Sequence, residues 1–150
     1  ATSTATTIDF GSVPFNSDVE IAQRLAVDTN ATQGYQVYQY ADQQLTNVYG
    51  TEIEPILGTN AAPLGWTSAC LGSAVSCFGY HTTDATLGGG SGRFSAIDSY
   101  AALSTDLAEV MHSSVPAVDE HDIIYRMRVS EQQPAGEYST SLTYITVPVF

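Results

Sequence analysis

The chain has 150 residues, 13% of them charged, with 16 Asp and Glu against 4 Arg and Lys for a net charge of −12. A surface this acidic repels phosphates, which excludes nucleic-acid binding and disfavours an anionic membrane surface. Every base is an arginine (Arg24, Arg93, Arg126, Arg128), so Schiff-base chemistry, a phosphate loop and a Lys–Asn cross-link are excluded as well. Hydrophobic residues at 43% supply the core of one ordinary domain. No apolar run approaches the roughly 18 residues of a membrane span. The opening ATSTATT, without Met or a basic stretch, reads as a mature terminus after signal-peptide removal, which makes the expected location extracellular.

In chain order, residues 2–10 read as a first strand with Ile8 and Phe10 on one face, ended by the turn GSVPFNSD. Ile21, Leu25 and Val27 alternate with polar residues in a second strand, and NATQG breaks the chain. Residues 35–40 form a third strand, with Tyr35 and Val37 on one face and Tyr38 and Tyr40 on the other. The middle carries one short strand at most and then a Pro/Gly-rich loop. A strand over 77–80 leads into the loop TTDATLGGGSG, and Phe94, Ile97 and Tyr100 reopen ordered structure. Ser104 caps a short helix, with Leu103, Leu107, Val110 and Met111 at helical spacing and Asp106 and Glu109 in its first turns. Residues 123–129 give the clearest strand, with Ile123, Tyr125, Met127 and Val129 opposite Ile124, Arg126 and Arg128. PAGEY turns on Pro134, with Gly136 suited to positive φ. Residues 141–150 form the last strand, with Ile145, Val147 and Val149 on one face and Leu142, Tyr144 and Phe150 on the other. Pro148 places that strand at an edge or a strand end. The pattern is all-β: a single antiparallel β-sandwich of jelly-roll or Ig-like type over residues 1–150, with at most one short helix.

Candidate chemistry is sparse. Cys70 and Cys77 are too far apart for a CxxC motif and have no second pair for zinc, so a disulfide closing a small loop is expected, with Gly72 and Ser73 turning between strands. His81, His112 and His121 form no HExxH or HxH pattern, which leaves an enzyme reading with a Ser–His–Asp triad assembled from distant positions or two facing carboxylates in a cleft for glycoside hydrolysis. GGGSG at 88–92 is neither a nucleophile elbow nor a phosphate loop and reads as a flexible loop. Asp119, Glu120, His121 and Asp122 read as a solvated acidic loop before a strand, with calcium as the lesser alternative. Asp84 is a weaker calcium candidate still. Tyr35, Tyr38, Tyr40, Tyr49, Trp66 and Tyr80 are the aromatics that a sugar-stacking platform would use, although such residues more often fill cores. Asn30-Ala31-Thr32 is an N-glycosylation acceptor tripeptide in a turn. No catalytic residue, metal site or cofactor is assigned.

Two stretches carry a resemblance. IDFGSVPF followed by RLAVDTNATQGYQVYQY, and YRMRVSEQQPAGEYSTSLTYITVPVF at the end, resemble secreted pilin-like sandwiches of the spore-coat-U and chaperone–usher pilin type. TasA-like matrix filament proteins are a looser likeness. Here the cysteines sit mid-chain and the front segment offers small side chains, unlike the usual pilin layout. The resemblance implies an extracellular structural subunit whose partners are copies of itself, joined head to tail by β-strand donation. Residues 1–10 are the donor candidate, with Thr2, Thr4, Thr6, Ile8 and Phe10 along one face. A monomeric glycan-binding module is the alternative, and a hydrolase the least expected reading.

Overall fold

The computed structural model describes residues 1–70, 76–88 and 92–150. Two three-stranded antiparallel sheets face each other. One sheet is ordered β3 (Asp18–Thr29), β9 (Ala117–Arg128), β6 (Cys77–Thr82); the other is β10 (Leu142–Pro148), β4 (Tyr35–Ala41), β8 (Ala108–Ser113). Along the chain each of these six strands lies in the sheet opposite the one before it, so every long connection crosses the sandwich.

Period-two patterning builds the core. Tyr35 and Val37 of β4 and Met111 of β8 meet Ile21 of β3, Phe78 and Tyr80 of β6, and Ile123, Tyr125 and Met127 of β9. A smaller cluster of Ile56, Trp66, Ala69, Tyr100 and the disulfide Cys70–Cys77 lies beside it. Two-residue strands β5 (Leu64–Gly65) and β7 (Ser99–Tyr100) and the short helix α1 (Trp66–Ala69) frame that cluster. The expected turn at Gly72 and Ser73 and most of GGGSG lie outside the described residues.

The helix expected after Ser104 is instead strand β8. A β-bulge between Val37 and Tyr38 of β4 pairs Met111 and Glu109 with consecutive β4 residues and leaves Val110 between them. Val110 and Met111 are both fully buried. A bulge breaks the period of two, so neighbouring residues turn inward and imitate helical spacing. Two further expectations are corrected. The run from Asp119 to Asp122 lies within β9 rather than in a loop before it. Gly136 is not among the residues with positive φ.

Gly34 does take positive φ, +76°, in the β3–β4 turn. A Cβ there would stand 2.1 Å from the Ser113 carbonyl oxygen, so only glycine lets this turn press against the end of β8.

Candidate assembly site

Four strand edges bound the two sheets, and two are covered. On β6, the Phe78 N–H donates to Glu54 O and Ile56 N–H to Phe78 O, while Tyr80 and Ala101 exchange both backbone bonds. On β8, Thr82 Oγ1 donates to Val110 O, Asn60 Nδ2 to Glu109 O and Thr86 Oγ1 to His112 O, and Asp84 accepts from the His112 N–H. Beneath Asn60, the buried Glu109 accepts from Gln36 Nε2 and the Gly88 N–H and lies 3.7 Å from Arg93. These bonds answer the backbone groups that an unpaired strand exposes.

The other two edges, β3 and β10, flank one groove of about 920 Å³ on the open side of the sandwich. Its floor includes Phe78, Tyr125 and Met127, and residues 5–15 cover part of it. The single strand expected over residues 2–10 is instead a small hairpin, β1 (Thr2–Ser3) against β2 (Ile8–Asp9). Thr4 explains the reversal: its Oγ1 accepts from the backbone N–H groups of Thr6 and Thr7, at 3.3 and 3.0 Å. Such local side-chain bonds compete with an extended ladder. The hairpin separates the five donor candidates. Thr2, Thr4 and Thr6 are exposed, whereas Ile8 and Phe10 pack on the core, Phe10 meeting Phe78 edge-on at 6.0 Å.

A hydrogen-bonded chain ties the hairpin to both sheets. Gln23 Nε2 on β3 donates to Thr4 O at 3.2 Å and to Ala5 O at 3.5 Å. Gln23 Oε1 accepts from the Tyr144 hydroxyl of β10 at 3.0 Å. Tyr144 and Tyr125 hydroxyls meet at 2.5 Å, and Tyr125 reaches the Gln39 amide of β4 at 2.9 Å. Two hydroxyl protons cannot serve all three of these last contacts. Gln39 Nε2 is buried without a partner. Turning that amide so that Nε2 donates to Tyr125 gives each contact one proton, running from Gln39 through Tyr125 and Tyr144 to Gln23. Burial pushes Tyr144 up to about 12 against the lowering effect of its bond to Tyr125. Burial, then the charge and hydrogen bond of Tyr144, raise Tyr125 well above the ordinary 10. Both phenols are therefore neutral hydrogen-bonding groups at physiological pH. The signal for this chain lay in Gln23 and Gln39, polar residues at inward positions of otherwise apolar strand faces.

Several of the other candidates occupy structural roles. Trp66, Tyr35 and Tyr80 are buried, so they form no exposed sugar platform. Trp66 lies under the Arg126 guanidinium, 4.7 Å from its ring centroid, and Arg126 also pairs with Asp18 at 2.7 Å. Partial burial works to raise the Asp18 carboxyl, but bonds and charge from Arg126, with Trp66 and Arg128, hold it below its usual value. Tyr35 donates to Asp119 at 2.9 Å, and Asp122 takes both ends of Arg24 at 2.8 and 3.1 Å. Arg24 holds the Asp122 carboxyl low. His81 faces the Ser99 carbonyl, and burial lowers its pKa. His112 and His121 lie near the buried Asp84, but no three His, Cys, Asp or Glu among the described residues are placed to hold a metal. Tyr38 and Tyr40 remain on the outer face of β4, half-buried, and Tyr49 is 88% exposed. Asn30 is exposed between β3 and β4.

The described residues define an all-β sandwich with an open-sided groove between β3 and β10. No protein-family model, no curated protein and no solved structure matches the chain. No helix among the described residues is long and apolar enough to cross a membrane.

Proposed function

We propose that the protein is a secreted, non-enzymatic structural subunit that polymerises head to tail by β-strand donation from its N-terminal segment. The observation that carries this reading is the way residues 1–10 sit on the groove. The hairpin has two residue pairs and two hydrogen bonds from Gln23 to its backbone, with Ile8 and Phe10 as apolar anchors. A segment held this lightly opens at little cost. Once extended, it offers the same anchors to the groove of a neighbour and lies along that neighbour's β3 edge. Such a contact is heterologous, so it propagates rather than closes. The Cys70–Cys77 disulfide suits the oxidising exterior that a secreted subunit meets.

Electron microscopy of the full chain beside a chain lacking residues 1–10 tests the proposal. Filaments from the first and monomers from the second are expected. Filaments from both would move the joint elsewhere, and monomers from the full chain at high concentration would overturn the reading. In that last case glycan binding at Tyr38 and Tyr40, the aromatic pair on the solvent face of β4, becomes the reading to test by their replacement with alanine.

A further inference from the structure

The groove accounts for the β3 edge and leaves β10 unexplained. Strand β10 pairs with β4 on one side, and among the described residues no hydrogen bond reaches the backbone on its other side. The Asp42 N–H donates to Ser141 O and the Val149 N–H to Gly34 O, which fixes the phase of the ladder. Residues 143, 145 and 147 therefore bond inward to β4, and Leu142, Tyr144 and Thr146 turn their N–H and C=O groups outward. Ile145 to Pro148 are all exposed. No charged side chain occurs from Tyr138 to Phe150. Natural edges are usually blunted by charge, bulges or cover, and this one has only Pro148 at its end.

We propose that the β10 edge pairs with the β10 edge of a second copy, antiparallel about a two-fold axis at Ile145, joining two three-stranded sheets into one of six strands. This inference stands apart from strand donation, because it uses a different edge and a closed, isologous contact. Two observations select a second copy as occupant. Copies carrying −12 each repel, so a contact between them is favoured where acids are absent, and β10 with its outer-face neighbours Gln36, Tyr38 and Tyr40 is such a place. The strand is also complementary to itself. About Ile145 all of Leu142–Pro148 overlaps: Tyr144 and Thr146 exchange backbone bonds with Thr146 and Tyr144 of the second copy, and each Leu142 N–H meets a Pro148 carbonyl. The missing N–H of Pro148 then costs one bond at each end, not in the middle. Ile145 faces Ile145 and Thr143 faces Val147 on the outer face, as apolar cross-strand pairs.

A single strand pair falls short of the roughly 1,000 Å² of a stable interface, so one contact is weak and repeats along a polymer make it strong. The geometry thus points to side-by-side pairing of molecules or of filaments, favoured by salt, which screens the repulsion.

Oxidative cross-linking of the full chain carrying Ile145→Cys tests this. Opposed non-hydrogen-bonded positions bring Cβ atoms close enough for a disulfide. Covalent dimers should form, increasing with salt, while Thr143→Cys, equally exposed but off the axis, stays uncrosslinked. Adding Thr146→Pro removes an outward N–H without touching the β4 ladder and should cut the yield about ten-fold, the effect of losing two interstrand bonds. If that variant does not fold, Val147→Glu, a solvent-face change that sets like charges at the joint, should cut it instead. An Ile145→Cys chain that reacts with a thiol reagent yet stays monomeric overturns the proposal, as does cross-linking unchanged by a folded blocking variant. Dimers without filaments would uphold this pairing and overturn strand donation; filaments without the cross-link would do the reverse.

Discussion

Strands β3 and β10 flank the same groove, and each leaves one backbone edge outside any ladder among the described residues, yet they are built differently. Strand β3 alternates apolar residues with Asp18, Glu20, Arg24 and Asp28, and three of these pair with β9 or its neighbours. The hairpin packs beside it through Gln23. Strand β10 carries no charge, and among the described residues no hydrogen bond reaches the backbone of its outer edge. The difference separates two kinds of open edge. Charges alternating along a strand let it stand open without pairing indiscriminately, and it accepts a partner whose contacts are mainly on the inward face. An uncharged edge accepts any strand that matches its register, and here its own copy matches.

The largest expected effect comes from the turn that supports β10. Gly34→Ala adds a Cβ against Ser113 at positive φ and should destabilise the fold by about 2–5 kcal/mol, read by urea denaturation. Hydrogen exchange should show β4 and β10 loosening before β3 and β9; uniform loss would show that the two edges share one cooperative unit. Next is the bridge between the edges. Tyr144→Phe deletes the hydroxyl that joins β10 to Gln23 and Tyr125, with an expected cost of about 1–3 kcal/mol and faster exchange in the hairpin.

The two edges should also fail at opposite ends of the pH scale. On the β3 side, the folded values of Asp18 and Asp122 are depressed, so the stability they give is present above about pH 4 and is lost as pH falls through those folded values. On the β10 side, Tyr144 is raised to about 12, so its contribution is present below about pH 10 and is lost as pH rises towards 12. Circular dichroism in acid and phenolate absorbance in alkali follow the two limits; a Tyr144→Phe chain with unchanged alkaline unfolding would break the assignment. The smallest effect belongs to Arg24→Gln. The Arg24 side of its pair with Asp122 is largely solvated, so the melting temperature should fall only slightly near neutral pH, and a large drop would mean that β3 depends on charge more than that exposure indicates.

Much of this frame was legible in the sequence because period-two patterning survives wherever a strand has one wet face. The faces of β4, β9 and β10, the disulfide between Cys70 and Cys77 and the edge position implied by Pro148 all follow from local rules. The failures have local causes too. In β8 a bulge turned Val110 and Met111 inward together and copied a helical pattern. In residues 2–10 the Thr4 hydroxyl folded back a segment that alternation alone reads as extended. Composition marked Asp119 to Asp122 as wet, whereas Tyr35 and Arg24 hold two of them within a strand.

What the sequence determined by itself was the class of fold, since alternation, turn residues and charge act within a few residues of one another. Tertiary structure alone decided which edges are open. That outcome depends on whether Glu54, Asn60, Thr82, Asp84 and Ala101, distant in sequence, reach the backbone of β6 and β8, and none of them reaches β3 or β10. A strand carries its own faces in its residues, but its edges are backbone, identical in every residue except proline, and only the surrounding fold distinguishes a covered edge from an exposed one.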